Sequence, residues 1–456
     1  MTSLAHGLVG RSDLPIPEWL FGWAAAMVLV VSFVALAVLW PQPRLQRDAW
    51  RPLPGAAGRL PVSRPVEIVC GAIGVFLLGV VVYSGLRGTQ SSTANFAPTF
   101  VYVVFWLGLV PASVLLGDVF RAFNPWRATG RAVAGLARMV ARTDLPAPLP
   151  YPERLGHWPA AAGLFAFAVL ELAAADNDKP ETVAIATLVY SALTFVGMAL
   201  YGVEAWIRRG EAFSVYLNLF SRIAPFESRD GVLGVRPWLS GLPALVPIAG
   251  TVPLLAVMIG SVTFDGASEA TLWTNVVPDI AGFFGDLGLS ARRALEVTFA
   301  LGLLAAVGLV LGFYRLGVAG ARSVGGGFTA DRLANGFVHT LVPIALVYAA
   351  AHYFTLLLFQ GQAIWFLASD PLGDGSNIFG TAARQVDYGI IGANATWYWQ
   401  VGFVVGGHVT ALVLAHDRAL ALYDEARLAV RSQYWMLAVM VGYTSLALWL
   451  LSRSNA

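Results

Sequence analysis

Apolar runs of about 20 residues recur along the whole chain, and this pattern limits the possible folds more than any other feature. A helix needs roughly 20 mainly apolar residues to cross the hydrocarbon core of a bilayer. Ten segments meet this criterion, and the polar stretches between them are too short to fold separately. We therefore predict an all-α polytopic bundle that forms a single transmembrane domain over residues 1–456, with spans near 19–40, 66–86, 99–119, 158–178, 182–206, 243–263, 295–315, 336–360, 396–416 and 433–451.

The composition agrees with a membrane protein, since 57% of the residues are hydrophobic and only 12% are charged. Soluble domains carry roughly 25% charged residues. The lipid bilayer is thus the expected partner. The net charge of +2 gives no indication of a nucleic-acid partner, and we expect none. The single cysteine, Cys70, excludes an internal disulfide.

The basic residues predict the orientation of the chain. Alternate loops on one side hold 22 of the 29 lysine and arginine residues, and the side with more basic residues is usually cytoplasmic. With ten spans, both termini then lie outside. The same assignment makes 120–157 and 207–242 cytoplasmic interfacial loops, and 264–294 and 361–395 long extracytoplasmic loops. Below, "the basic side" denotes the predicted cytoplasmic side.

The segment from Arg131 to Arg142 is a basic amphipathic stretch. At helical spacing, its apolar residues oppose its arginines, and prolines follow it directly. A helix lying in the membrane interface is the natural interpretation. The apolar residues are Ala132, Leu136, Met139 and Val140, and the basic ones are Arg131, Arg138 and Arg142.

Ionisable residues at bilayer depth are costly and usually face a cavity or each other. The topology places Glu171, Asp265, Glu296 and His352 toward the outside and His408 nearest the middle. Carboxylates with an imidazole suit acid/base catalysis or a divalent metal. We predict Glu171, Asp265, His352 and His408 as catalytic candidates, and His352, Asp265 and Glu296 as metal ligands. They should line one outward-facing cavity, with His408 at its floor.

The spacing of these residues matches no established motif, and each histidine could equally be a hydrogen-bonded packing residue between helices. We do not expect the four histidines of the spans to bind two haems as two pairs. His339 and His352 are 13 residues apart, about 20 Å along a helix, whereas His408 and His416 are 8 apart, about 12 Å. Two stacked haems cannot match both pairs. One haem or one metal remains open.

Several stretches resemble bacterial membrane proteins of the fenitrothion hydrolase family. These stretches are "SVLLGDVFRAFNPWRATGRAV", "FSRIAPFESRDG", "SVTFDGASEATLWTNV", "AHYFTLLLFQGQ" and "GGHVTALVLAHDRAL". The resemblance implies hydrolysis of the P–O–aryl bond of a phosphotriester by a multi-pass protein of the bacterial plasma membrane. It also implies a second membrane component as a partner. It assigns no catalytic residue by position.

Two other functions remain open. A transporter could consist of two five-helix halves of opposite topology, and Pro243, Pro247 and Pro253 in the sixth span favour the discontinuous helices that transporters use. Residues 19–206 and 243–451 nevertheless show no convincing similarity to each other. The third possibility is an accessory subunit of a respiratory or copper-handling complex, in which the histidine-bearing helices would hold haem or copper.

The predicted topology is tested by cysteine labelling in a Cys70→Ser background. A cysteine at Ser376 should react with a membrane-impermeant reagent from outside, because 361–395 is assigned to the outer face. A cysteine at Ser323 should react only from inside. The opposite labelling pattern would overturn the orientation.

Overall fold

Eight helices are long and apolar enough to cross a membrane in the computed structural model, which describes residues 18–141 and 147–454. They match the predicted first, second, third, fifth, sixth, seventh, eighth and ninth spans. The prediction of an all-α polytopic bundle is confirmed. The helices are α1 Glu18–Leu39, α2 Gly55–Arg59, α3 Arg64–Arg87, α4 Phe96–Pro98, α5 Leu109–Leu116, α6 Phe120–Phe123, α7 Pro125–Ala141, α8 Trp158–Leu172, α9 Pro180–Tyr201, α10 Val203–Arg209, α11 Ala212–Ser221, α12 Thr251–Ser268, α13 Thr271–Asp286, α14 Ala291–Ser323, α15 Ala330–Phe337, α16 Leu341–His352, α17 Ile364–Ser369, α18 Ala393–Leu422, α19 Ala426–Ser432 and α20 Tyr434–Ser454.

Several turns in these helices are wider or tighter than an α-helix. Two segments are π-helical, Thr99–Gly108 and Leu356–Gln360. Three short segments are 3₁₀-helical, Leu60–Val62, Val338–Thr340 and Gly361–Ala363. Thr99–Gly108 follows α4 and continues directly into α5, so these three segments form one continuous apolar helix.

A small antiparallel sheet joins two loops of the basic side. Its strands are β1 Arg51–Pro52, β2 Phe226–Arg229 and β3 Val232–Val235, in the order β1-β3-β2. Arg229 also bonds Asp48 at 2.6 Å, and this hydrogen bond holds the pKa of the Asp48 carboxyl below its ordinary value. The loop before α3 is thereby tied to the hairpin that follows α11.

Two predicted spans fall outside the eight. The segment 158–178 contains only α8, whose 15 residues reach about 22 Å, less than the hydrocarbon core. The segment 433–451 overlaps α20, a helix of 21 residues that begins at Tyr434. The number of crossings and the outer location of both termini therefore stay predictions. Residues 1–17 and Arg142 lie outside the described residues.

The sixth predicted span is helical only in its second half. Residues 243–250, with Pro243 and Pro247, are not helical, since proline removes a backbone donor and clashes with the preceding turn. The helix α12 begins at Thr251, after Gly250 in the left-handed region at a φ of 82°. It is buried along almost its whole length against α8, α14 and α16. The core of the bundle thus surrounds α12.

The eighth predicted span, 336–360, is not one helix. After α15 and a 3₁₀ turn, α16 ends at His352, and Tyr353 leaves the helical conformation at a φ of −95° and ψ of 14°. The π-helical turn Leu356–Gln360 follows. His352 therefore lies at a helix end, and the expectation of a continuous span around it is wrong.

The predicted interfacial loop 207–242 contains a helix buried inside the bundle. The buried helix is α11, which packs against α5, α8 and α16 and is buried at nearly every position. The helix before it, α10, folds back against α9. Trp206 of α10 lies so close to Gly197 of α9 that a Cβ on Gly197 would be 2.3 Å from the indole. We call α10 and α11 the helical hairpin. The interfacial assignment remains a prediction for the β2–β3 region only.

Charged side chains cap both ends of α11. The Glu211 carboxylate accepts hydrogen bonds from the backbone N–H groups of Phe213 and Ser214 at 3.0 and 2.8 Å. At the other end the buried Arg236 guanidinium donates to the carbonyls of Ser221 and Ala224. An anion at the N-terminus and a cation at the C-terminus both complement the helix dipole. These caps let α11 end inside the protein.

The structure adds detail to the other three predicted loops. In the predicted interfacial loop 120–157, α7 carries exposed apolar side chains, with Met139 and Val140 more than 70% exposed; an amphipathic helix there is confirmed. In 264–294, the helix α13 leaves Leu272 and Phe283 exposed. In 361–395, α17 is followed by a non-helical stretch, 370–392. The side of the membrane on which each lies stays a prediction.

Replacing Glu211 should destabilise the fold. Glu211→Ala removes the cap of α11 and also the acceptor for Asn124 and Tyr190. We expect a loss of about 3 kcal/mol in the free energy of unfolding, the sum of a lost cap and unpaired buried donors. Glu211→Gln keeps one acceptor oxygen and should lose less. The free energy of unfolding is measured in sodium dodecyl sulfate, with Glu153→Gln at an exposed position as the control. Equal stability of Glu211→Ala and Glu153→Gln would contradict the role of the cap.

Candidate functional site

The break after α16 brings a histidine and a carboxylate together. His352 Nε2 lies 2.9 Å from Asp265 Oδ2, and both side chains are only 8% exposed. The Tyr353 hydroxyl donates to the same Asp265 oxygen at 2.8 Å. Asp265 projects from the last turns of α12, while His352 and Tyr353 occupy the end of α16. We call these three residues the acid–base cluster.

The helix break explains how His352 and Tyr353 reach one acceptor. Adjacent residues of a regular α-helix point about 100° apart and do not face each other. Here Tyr353 has left the helical conformation, so its ring stands perpendicular to the His352 ring, 4.8 Å away. Both polar groups then converge on Asp265.

Glu171 and two aromatic residues, Tyr216 and Trp106, surround the acid–base cluster. The Glu171 carboxylate, on the last turn of α8, interacts electrostatically with Asp265 and Tyr353. Tyr216 of the helical hairpin interacts with Glu171 and accepts a hydrogen bond from the indole N–H of Trp106. Trp106 in turn packs edge-on against Tyr353, with ring centres 4.9 Å apart. Three helices and the hairpin therefore contribute to one polar region inside the bundle.

Both π-helical segments flank this region. Thr99–Gly108 carries Tyr102 and Trp106, and Leu356–Gln360 begins three residues after Tyr353. The two segments also contact each other. π-Helical turns are rare and frequently occur at functional sites. Their position beside Asp265 and His352 supports a functional role for this region.

Glu296 belongs to a different cluster. It accepts the backbone N–H of Ala175 at 3.1 Å and pairs with Arg292 at 3.3 Å. Arg292 also bonds Asp176, which pairs with Lys179. This cluster fastens the start of α14 to the turn after α8. Its ion pairs are largely exposed, so a structural role accounts for Glu296.

His408 lies apart from the acid–base cluster as well. Its Nδ1 bonds the carbonyl of Val404 in its own helix at 2.7 Å, and its side chain lines a cavity of about 80 Å³ between α12, α14, α16, α18 and α20. Tyr348, one turn before His352, packs against the His408 ring at 6.0 Å. The structure thus places His408 in a separate apolar cavity and not at the floor of one shared with His352.

The predicted metal site is only partly assembled. Two of its three ligands, His352 and Asp265, bond directly to each other, and Glu296 bonds elsewhere. Within residues 18–141 and 147–454, no group of three or more histidine, cysteine, aspartate or glutamate side chains is arranged to hold a metal ion. The arrangement fits an acid/base pair better than a metal site.

Sequence reasoning missed the tyrosines. All three lie in apolar segments: Tyr353, Tyr102 and Tyr216. Of these, only Tyr353 could have been identified from the sequence, because it directly follows the predicted site residue His352. Tyr102 interacts electrostatically with Glu171 and donates its hydroxyl hydrogen to the carbonyl of Asn177 at 2.8 Å. Nothing in the sequence indicates that 212–221 enters the bundle and carries Tyr216 to this site.

The chain matches no protein-family model, and no curated protein or solved structure matches it significantly.

The pairing of His352 with Asp265 can be measured by a double-mutant cycle. Asp265→Ala should destabilise more than His352→Ala or Tyr353→Phe, because it leaves two buried donors without their acceptor. We expect a loss of about 3 kcal/mol for Asp265→Ala and a coupling of at least about 1 kcal/mol between positions 265 and 352. Unfolding by sodium dodecyl sulfate gives both values; additive effects would show that the two residues do not interact.

Proposed function

We propose that the chain is a membrane-embedded hydrolase of apolar phosphotriesters of the organophosphate class, located in a bacterial plasma membrane. The observation that carries this proposal is the bond between His352 and Asp265 at the end of α16, 2.9 Å long and largely buried. A carboxylate that orients an imidazole is a recurrent arrangement for general base catalysis.

In this proposal His352 activates the attacking water. The carboxylate of Asp265 accepts from Nε2–H, which makes Nδ1 the basic atom of a neutral imidazole. Nδ1 takes a proton from water as the water oxygen attacks phosphorus, and the P–O–aryl bond breaks to release the aryloxide. Asp265 stabilises the imidazolium that forms. Tyr353 holds the Asp265 carboxylate in place, and Glu171 is the second candidate acid/base group.

An apolar cavity beside the site supports an apolar substrate. It has a volume of about 650 Å³ and lies between α3, α8, α9 and the π-helix Thr99–Gly108, within the range of small-molecule pockets. Phe167 lines this cavity and packs against Trp106, with ring centres 5.2 Å apart, and Trp106 contacts Tyr353. Two aromatic rings in contact, Phe167 and Trp106, thus connect the cavity wall to Tyr353 of the acid–base cluster, and we propose that the ester enters here from the lipid.

A proton-coupled transporter is the second candidate. Two carboxylates, Glu171 and Asp265, interact across α8 and α12 beside a broken helix, and discontinuous helices commonly form the binding sites of transporters. The same reconstituted protein distinguishes the two. A hydrolase releases aryl alcohol in detergent without any membrane potential, whereas a transporter moves protons or solute only across sealed proteoliposomes.

Replacement of His352 is the direct test of the hydrolase. His352→Ala should lower the hydrolysis rate of a nitroaryl phosphotriester, followed by nitrophenolate absorbance, by a factor on the order of 10²–10⁴, the usual contribution of a general base. The exposed Asp279→Asn on α13 is the control. The assay is run with and without a native membrane extract, because the family resemblance implies a second membrane component. Unchanged rates in His352→Ala, or no hydrolysis by the native protein in either condition, would exclude this function.

A further inference from the structure

A large groove opens on the basic side between α3, α7 and the start of α10. Its volume is about 1610 Å³, more than the roughly 300–1,000 Å³ of a small-molecule pocket. One wall is the first half of α3, from Arg64 onward, and the other is α7. We call it the basic groove. It lies far from the acid–base cluster and shares none of its residues.

The walls of the basic groove are held in a fixed arrangement. Where α3 meets the start of α7, a Cβ on Gly74 would lie 1.9 Å from the carbonyl oxygen of Phe123, so only glycine permits this approach. Arg127, which is 3% exposed, then bonds Glu67 of α3 and, at 3.1 Å, Glu204 of α10. The groove is a rigid feature of the fold.

The groove carries an excess of positive charge. Five arginines and two glutamates line it. Arg127 and Arg131 each pair with both glutamates, which neutralises those four side chains. The remaining arginines, Arg64, Arg121 and Arg138, are exposed and form no ion pair with a described residue. Arg64 and Arg138 lie one and two turns beyond the Glu67–Arg131 ion pair that joins α3 to the middle of α7, so these two guanidinium groups favour a phosphate, which arginine binds readily.

An apolar face of α3 continues from this charged end. Ile68, Ala72, Val75 and Phe76 line the groove and follow Arg64 at spacings that share one helix face. Ile68 and Phe76 are 61% and 68% exposed. From Arg64 to Phe76 the helix rises about 18 Å, slightly more than half of the hydrocarbon core of roughly 30 Å. This length and polarity match one acyl chain below a headgroup.

We propose that the basic groove is a binding site for an anionic phospholipid of the leaflet on the basic side. The phosphate lies between Arg64 and Arg138, and an acyl chain lies along the face of α3 from Ile68 to Phe76. The lipid fills the angle between the membrane-crossing α3 and the interfacial α7 and fastens α7 to the membrane surface.

The test uses the full chain, purified in detergent and titrated with phosphatidylglycerol or phosphatidylcholine, with bound lipid counted by native mass spectrometry. The native protein should bind one phosphatidylglycerol in preference to phosphatidylcholine. Arg64→Gln with Arg138→Gln should weaken this binding by about fivefold for each arginine removed. Arg138 donates to the carbonyl of Ala134 in its own helix, and within residues 18–141 and 147–454 neither side chain forms an ion pair, so the fold should be retained, as the unfolding curve of the variant will show.

Two further variants identify what the groove recognises. Arg427→Gln with Arg431→Gln removes the same charge from exposed positions of α19 outside the groove and should leave lipid binding unchanged. Ile68→Ser with Phe76→Ser keeps the arginines and should also weaken phosphatidylglycerol binding. An equal loss of lipid binding in the α19 variant would indicate a general effect of charge. Displacement of the lipid by inorganic phosphate would indicate a site for free phosphate. Either result, or binding without preference for the anionic lipid, would overturn the proposal.

Discussion

Backbone groups at helix ends inside a membrane protein need partners from the protein itself, and this constraint governs the structure. An unpaired buried N–H or C=O costs several kcal/mol where no water can reach it. The helix α11 ends at both termini inside the bundle, and Glu211 and Arg236 supply the missing acceptor and donors. Without these two charged residues the hairpin could not stay buried, and Tyr216 would not reach the region around Glu171.

The charged caps are themselves held by helices distant in sequence. Glu211 accepts from Asn124, which follows α6, and from Tyr190 of α9. Arg236 pairs with Glu227 of β2 at 2.8 Å, and β3 carries the sheet on to β1. Glu211 and Arg236 thus both have polar partners, as the desolvation of a buried charge requires. The hairpin, the sheet and α7 are consequently connected through polar contacts, although apolar packing of α12 forms the core.

The sequence predicted the membrane class, eight of the apolar helices and the unwound start of the sixth span, because length, hydropathy and proline act locally. It also predicted that Asp265 and His352 belong together. It did not predict the break at Tyr353, because "HYFTLLLFQ" is as apolar as a continuous span, and the contact that favours the break, that of Tyr353 with Asp265, is tertiary.

Residues 212–221 were misplaced for a related reason. Ten residues are too few to cross a bilayer, so sequence reasoning assigned them to a loop, whereas burial depends on capping residues that sequence periodicity does not detect.

The break at Tyr353 links the fold to the proposed chemistry. A continuous helix would direct His352 and Tyr353 to different neighbours, and Asp265 would then lack one of its donors. The break brings both donors to one carboxylate oxygen and places the π-helical turn Leu356–Gln360 against the π-helix that carries Trp106. The distortion is therefore stabilised on two sides, by hydrogen bonds to Asp265 and by aromatic packing on Trp106. Because the same contacts fix the imidazole and the helix end, a change that straightens this segment should also remove the geometry on which base catalysis by His352 depends.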